Sequence, residues 1–133
     1  MRSLHYRVFW LVLGIGLLGL VLYFTLAAPG FERRFPGGDK MAHGAGFFAL
    51  MLWYAALVER RHYLALGLTL LALGGAIELA QGWMALGRRA EWADFFANGG
   101  GIVLATGLSL LTRQSWLQWV ERYVFRKSSI PAA

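Results

Sequence analysis

Four long apolar runs constrain this chain more than any other feature. The first, "VFWLVLGIGLLGLVLYFTLAA", covers Val8 to Ala28. Its 21 residues would extend about 31 Å as a helix, close to the hydrocarbon thickness of a bilayer. The second runs from Met41 to Val58, the third from Tyr63 to Leu86 and the fourth from about Phe95 to Thr112. Short polar stretches separate them: "PGFERRFPGG", then "ERRH", then "GRRAEWAD". The first run is too long for the roughly 7–15-residue core of a secretory signal peptide, although Arg2 and Arg7 precede it. Within 133 residues, 58% are hydrophobic and only 15% charged, against about 25% charged in a soluble domain. A soluble chain of this size buries too little surface to hide that much apolar area. The expectation is one all-α domain over residues 1–133, a bundle of four transmembrane helices.

The net charge of +6 does not imply nucleic acid, because the basic residues sit in short segments between apolar runs. That placement fits membrane topology and anionic lipid. The N-terminus, the "ERRH" turn and the tail carry Arg2, Arg7, Arg60, Arg61, Arg113, Arg122, Arg126 and Lys127. The opposite side carries Arg33, Arg34, Lys40, Arg88 and Arg89. Eight against five predicts a multi-pass membrane protein with both termini in the cytoplasm. The tail, residues 115–127, is too polar to span. Trp116, Trp119, Val120, Tyr123 and Val124 recur at helical spacing, which predicts an amphipathic helix on the cytoplasmic surface. Small residues at spacing four, Ala97, Gly101 and Ala105, predict a face of close helix contact. The absence of cysteine excludes disulfides, thiolate metal sites and a cysteine nucleophile.

The polar residues inside the apolar runs are not scattered. With four alternating spans, Asp39, Lys40 and His43 fall at the outer end of the second helix. Glu78 and Gln81 lie in the outer half of the third, and Asp94 and Asn98 open the fourth. Asp39 and His43 are four apart, as are Asp94 and Asn98, so each pair shares a helix face; Glu78 and Gln81, three apart, do likewise. A carboxylate at bilayer depth costs at least about 2.5–3.5 kcal/mol, so Glu78 is expected to face the bundle and meet Lys40, His43, Arg88 or Arg89, or to be protonated.

These residues carry a resemblance. "DKMAH", then Phe47 and Leu50, then Glu78 and Gln81, then "GRRAEWAD" with Asn98 and Gly101, resemble the VanZ-like membrane proteins over roughly residues 39–107. The pattern of that family is Asp-Lys-x-x-His, Glu-x-x-Gln, Gly-Arg with a later Asp, and Asn-x-x-Gly. Leu86 stands where the family often has proline, and a second arginine, Arg89, follows Arg88. The resemblance implies a small bacterial membrane protein of the cell envelope, of a kind associated with low-level teicoplanin resistance.

Taken singly, most of these side chains have ordinary explanations. Asp39 and Asp94 suit helix N-termini, Lys40 can reach headgroups, Gln81 and Asn98 can bond between helices, and Arg88, Arg89 and Trp92 suit the interface. Glu91 is expected to be solvated. Glu78 is the hardest to dismiss, because of its depth. Together they predict a site open to the outer leaflet that engages an anionic amphiphile; the resemblance implies that this is an envelope lipid or a lipid-linked precursor, bound or modified there. His43, oriented by Asp39, and Glu78 are the proton-transfer candidates, with Asp94 beside them. Lys40 and Arg88 or Arg89 would grip the anion, and Gln81 and Asn98 would position the ligand. Two alternatives stand beside this: a polar network that only locks the bundle while a partner membrane protein carries the function, and ion movement, against which the cytoplasmic half of the helices offers no ionisable relay. Asp39, His43, Glu78 and Asp94 can be assembled into a metal site on paper. The absence of a zinc signature and the nearby lysine argue for neither metal nor cofactor.

Overall fold

The computed structural model describes residues 4–27, 37–83, 91–112 and 116–125. Every regular element among them is helical: α1 (Arg7–Ala27), α2 (Gly38–Leu57), a 3-10 turn (Arg60–His62), α3 (Tyr63–Trp83), α4 (Trp92–Leu111), a short α5 (Trp116–Val120) and a wider π turn (Glu121–Phe125). Three helical stretches, Arg7–Leu26, Arg60–Trp83 and Trp92–Leu111, are long and apolar enough to cross a membrane. Helix α2 has 20 residues, but its first two turns contain Asp39, Lys40 and His43. Gly37 precedes it with a φ of 79°, a left-handed conformation that glycine adopts without steric cost. Helices α2 and α4 each begin three residues before the apolar runs of the sequence suggest. Asp39 and Asp94 therefore lie within first turns rather than at N-caps, where Gly37 and Glu91 stand.

Helix α2 is the hub. It packs most extensively on α4 and also touches α1 and α3. Its buried face, Phe47, Leu50, Met51 and Ala55, meets Leu70 and Ile77 of α3 and Ile102 and Ala105 of α4. The small-residue face predicted on α4 is used here. A methyl group on Gly101 would collide with the Gly44 carbonyl oxygen and lie 2.9 Å from the Phe48 nitrogen, so the α2 and α4 backbones approach to a distance only glycine permits.

The tail differs from the expected amphipathic helix. The periodicity predicted one continuous helix over 115–127, whereas the described part is one α-helical turn followed by the π turn. Leu117 is its buried anchor, packed with Trp10, Ala56 and Leu57, while Trp119 and Tyr123 are exposed and stacked on each other at 5.3 Å. Trp10, Trp53 and Trp116 form an edge-to-face triangle with centroid separations of 6.1, 6.4 and 5.3 Å. Beside it, the Glu121 carboxylate accepts the backbone N–H groups of His5 (2.8 Å) and Tyr6 (2.9 Å) and the Trp10 indole N–H (2.8 Å). Those amides open α1 and have no acceptor within the helix, so the tail supplies the cap that the local sequence lacks. Burial pushes the Glu121 carboxyl up. The Tyr6 and His5 amides and the Trp10 indole outweigh it and hold the group below the usual glutamate range.

Polarity is distributed inside out. Large apolar side chains such as Val8, Leu64, Leu79, Val103 and Leu111 are exposed, while Thr25, His43, Gln81, Asp94 and Asn98 are buried. In water this arrangement would leave an apolar shell hydrated and polar groups desolvated; against lipid the shell costs nothing.

Candidate functional site

Four buried polar residues, His43, Glu78, Asp94 and Asn98, converge at one end of the helices, joined by the partly buried Asp39 and the exposed Lys40. The start of α2 contributes Asp39, Lys40 and His43, the end of α3 contributes Glu78, and the start of α4 contributes Asp94 and Asn98. Antiparallel connection of α2, α3 and α4 through short links explains why these segments, distant in sequence, share one layer. His43 is at the centre and is fully buried. Its Nδ1 lies 3.1 Å from Asn98 Oδ1 and 3.5 Å from Glu78 Oε1, and its Nε2 lies 3.8 Å from Asp39 Oδ1. The imidazole is thus flanked by a carboxylate on each side. Asn98 fits against α3 because Gly74 leaves room: a methyl there would sit 2.8 Å from Asn98 Nδ2.

Lys40 does not sit free at the membrane boundary. Its Nζ donates to Glu91 Oε2 at 2.9 Å and lies 3.8 Å from Asp94 Oδ1. Glu91, expected to be merely solvated, therefore has two partners, because its backbone N–H also donates to Glu78 Oε2 at 3.2 Å. Nothing in the spacing of Glu91 signals this role; it follows from the packing of the start of α4 against α2 and α3. Gln81 stands apart from the cluster. It is buried, and its Nε2 donates to the Thr25 carbonyl near the end of α1 at 2.6 Å, so it ties α3 to α1 rather than positioning a ligand beside His43. Arg88 and Arg89 lie outside the described residues.

Among the described residues, the buried atoms His43 Nε2, Glu78 Oε1 and Asn98 Nδ2 of the cluster find no hydrogen-bond partner. Buried polar atoms are ordinarily satisfied, so three in one place mark a centre with unused bonding capacity. Next to it runs an apolar groove of about 540 Å³ between α3 and α4, lined by Ala76, Leu79, Trp92 and Phe95. Glu78 and Glu91 also line it, and Glu78 therefore borders both groove and cluster. Chemically, the arrangement offers an imidazole held between carboxylates for proton transfer, one ammonium group, and an adjoining surface suited to a hydrocarbon chain.

Comparison with known proteins adds no relative: no protein-family model matches the chain, and neither a curated protein nor a solved structure is similar to it.

Proposed function

We propose that this chain is a VanZ-like inner-membrane protein of a bacterial envelope that binds an amphiphile with its head at the His43 cluster and its tail in the α3–α4 groove. In this reading α2 spans the bilayer with the other three long helices. Its polar first turns lie just beneath the outer surface, and both termini are cytoplasmic. The ligand is an anionic lipid or a lipid-linked cell-wall precursor. His43 and Glu78 handle its protons, and Lys40 supplies positive charge, with Arg88 and Arg89 from the segment between α3 and α4. The observation that carries the proposal is Glu78, which faces the buried imidazole on one side and an apolar groove on the other. The order and spacing of the VanZ-like motifs supply the envelope setting.

Native mass spectrometry of the full chain extracted from membranes tests this. Wild-type protein should retain a defined lipid that His43→Ala and Glu78→Gln lose while remaining helical and monodisperse. The same lipid profile in all three would refute the proposal.

A second reading is favoured by the way Lys40, Glu91 and Gln81 each bridge different helices. In it the network only locks the bundle, and function lies in a partner membrane protein. That reading expects Glu78→Gln to lower thermal stability with no separate effect on ligand retention.

A further inference from the structure

The protonation pattern of His43 has a consequence for what the cluster can hold. Both atoms facing Nδ1, Asn98 Oδ1 at 3.1 Å and Glu78 Oε1 at 3.5 Å, are acceptors. A ring hydrogen therefore belongs on Nδ1, which leaves Nε2 as the nitrogen open to a ligand. Nε2 is fully buried, has no hydrogen-bond partner and points toward Asp39 Oδ1 at 3.8 Å. Opposite a carboxylate in a buried setting, Nε2 needs a proton or a metal ion between the two atoms, and the titration below distinguishes them. One ring nitrogen of His43 and one oxygen each of Asp39 and Asp94 all lie within 4.8 Å of one another. Two atoms bound to one metal ion at about 2.1 Å are separated by at most about 4.2 Å, so a small side-chain rotation of one aspartate completes the set. The hydrogen bond from Nδ1 to Asn98 is the kind that fixes the tautomer of a metal-bound histidine.

We propose that Asp39, His43 and Asp94 form a divalent-cation site, with His43 Nε2 as the nitrogen ligand and Asn98 orienting the ring. One imidazole and two carboxylates suit a hard or borderline ion such as Mn²⁺, Fe²⁺ or Zn²⁺. This departs from the sequence-based expectation of no metal, which rested on the absence of a zinc signature and on the nearness of Lys40. The Lys40 ammonium is held by Glu91 at 2.9 Å, stays 3.8 Å from Asp94 and is 46% exposed, so it borders the site without filling it. Three protein ligands leave coordination positions open, as catalytic sites do. Use of those positions by an anionic headgroup rests on the function proposed above, whereas the cation site itself does not.

The rival arrangement turns the Asn98 amide over, so that Nδ2 donates to Nδ1 and Nε2–H faces Asp39. It then sets the Nδ1 lone pair against Glu78 Oε1 and closes the site to metal. Titration of tag-free full-length protein in detergent, stripped with EDTA, separates the two. Calorimetry with Mn²⁺ and with Zn²⁺ should give one saturable ion per chain. Asp94→Asn, close to isosteric, should weaken it at least about tenfold, and Asn98→Ala by about 10–100-fold. A variant carrying His5→Gln and His62→Gln, both at exposed positions, keeps His43 as the remaining imidazole. Bound Mn²⁺ in that protein should show ¹⁴N coupling by pulsed electron paramagnetic resonance, a readout that needs no cluster mutation. No saturable ion, no nitrogen coupling, or undiminished affinity in Asp94→Asn would each overturn the site. If ions bind but the lipid profile is the same in wild type, His43→Ala and Glu78→Gln, the function proposed above fails and the cation site stands. If lipid is retained and no ion binds, the reverse holds.

Discussion

Replacing Gly101 with alanine tests the closest contact in the molecule and, through it, the geometry of the site. The added methyl would overlap the Gly44 carbonyl oxygen and sit 2.9 Å from the Phe48 nitrogen. Both obstacles are backbone atoms of α2, so no side-chain rotation relieves them. Restoring ordinary contact of about 3.5 Å with Phe48 alone moves α4 away from α2 by roughly 0.6 Å, and the Gly44 oxygen demands more. Asn98 is one turn from Gly101, and His43 adjoins Gly44. The same displacement therefore carries the 3.1 Å His43–Asn98 contact to about 3.7 Å, outside hydrogen-bonding range. Overpacking of this type costs about 1–3 kcal/mol. The lost interhelical hydrogen bond adds about 0.6 kcal/mol. Thermal unfolding in detergent, followed by circular dichroism, should show a lower midpoint for Gly101→Ala and a parallel loss of ligand or ion binding. Gly100→Ala is the control, because nothing lies within 4 Å of a methyl placed there. Alanine is also the better helix former, by up to about 1 kcal/mol, so this variant should be neutral or more stable. Equal midpoints for the two variants would refute the close-contact account of α2 and α4.

The remaining predictions concern the ties between helices. Glu121→Ala should loosen the start of α1 and alter the fluorescence of the Trp10, Trp53 and Trp116 triangle, because the His5 and Tyr6 amides lose their acceptor. The folded-state pKa of Glu121 is depressed, so its contribution is complete above the ordinary glutamate pKa of about 4.3 and is lost as pH falls through the lower folded value. Acid titration of wild-type tryptophan fluorescence should show that loss, and the variant should lack it; identical titrations would argue against the cap. Gln81→Leu removes the bond to the Thr25 carbonyl and should lower stability by about 0.6–1.7 kcal/mol while sparing lipid and ion binding, since Gln81 touches neither. Loss of binding at unchanged stability in that variant would return Gln81 to the site.

Legibility followed the range of the interactions. The apolar runs were visible because each is local: about twenty consecutive apolar residues satisfy their backbone within one helix, whatever else the chain does. The layer shared by Asp39, His43, Glu78, Asp94 and Asn98 was also legible, because short links between antiparallel helices bring alternate ends together. Helical spacing put the pairs on common faces. The pairings within that layer were not. Whether Lys40 meets Glu78, Glu91 or a ligand depends on the rotation and depth of each helix, and these are set by Gly101 against Gly44 and by Gly74 beneath Asn98. Gln81 shows the limit well: its spacing from Glu78 is facial, yet a turn of difference aims it at α1. The tail is the other case. Its aromatic periodicity suggested a surface helix, but Glu121 and Leu117 find partners more than a hundred residues and about sixty residues away, respectively, and those contacts govern its shape.

By itself, then, the order of residues determined an all-helical chain with apolar flanks and a polar end, because backbone hydrogen bonding and the period of 3.6 residues act over single turns. Tertiary structure alone decided which polar atoms meet. Helix depth, rotation and separation are settled by contacts between backbones far apart in sequence, and a displacement of half an ångström there is enough to make or break the hydrogen bond at His43.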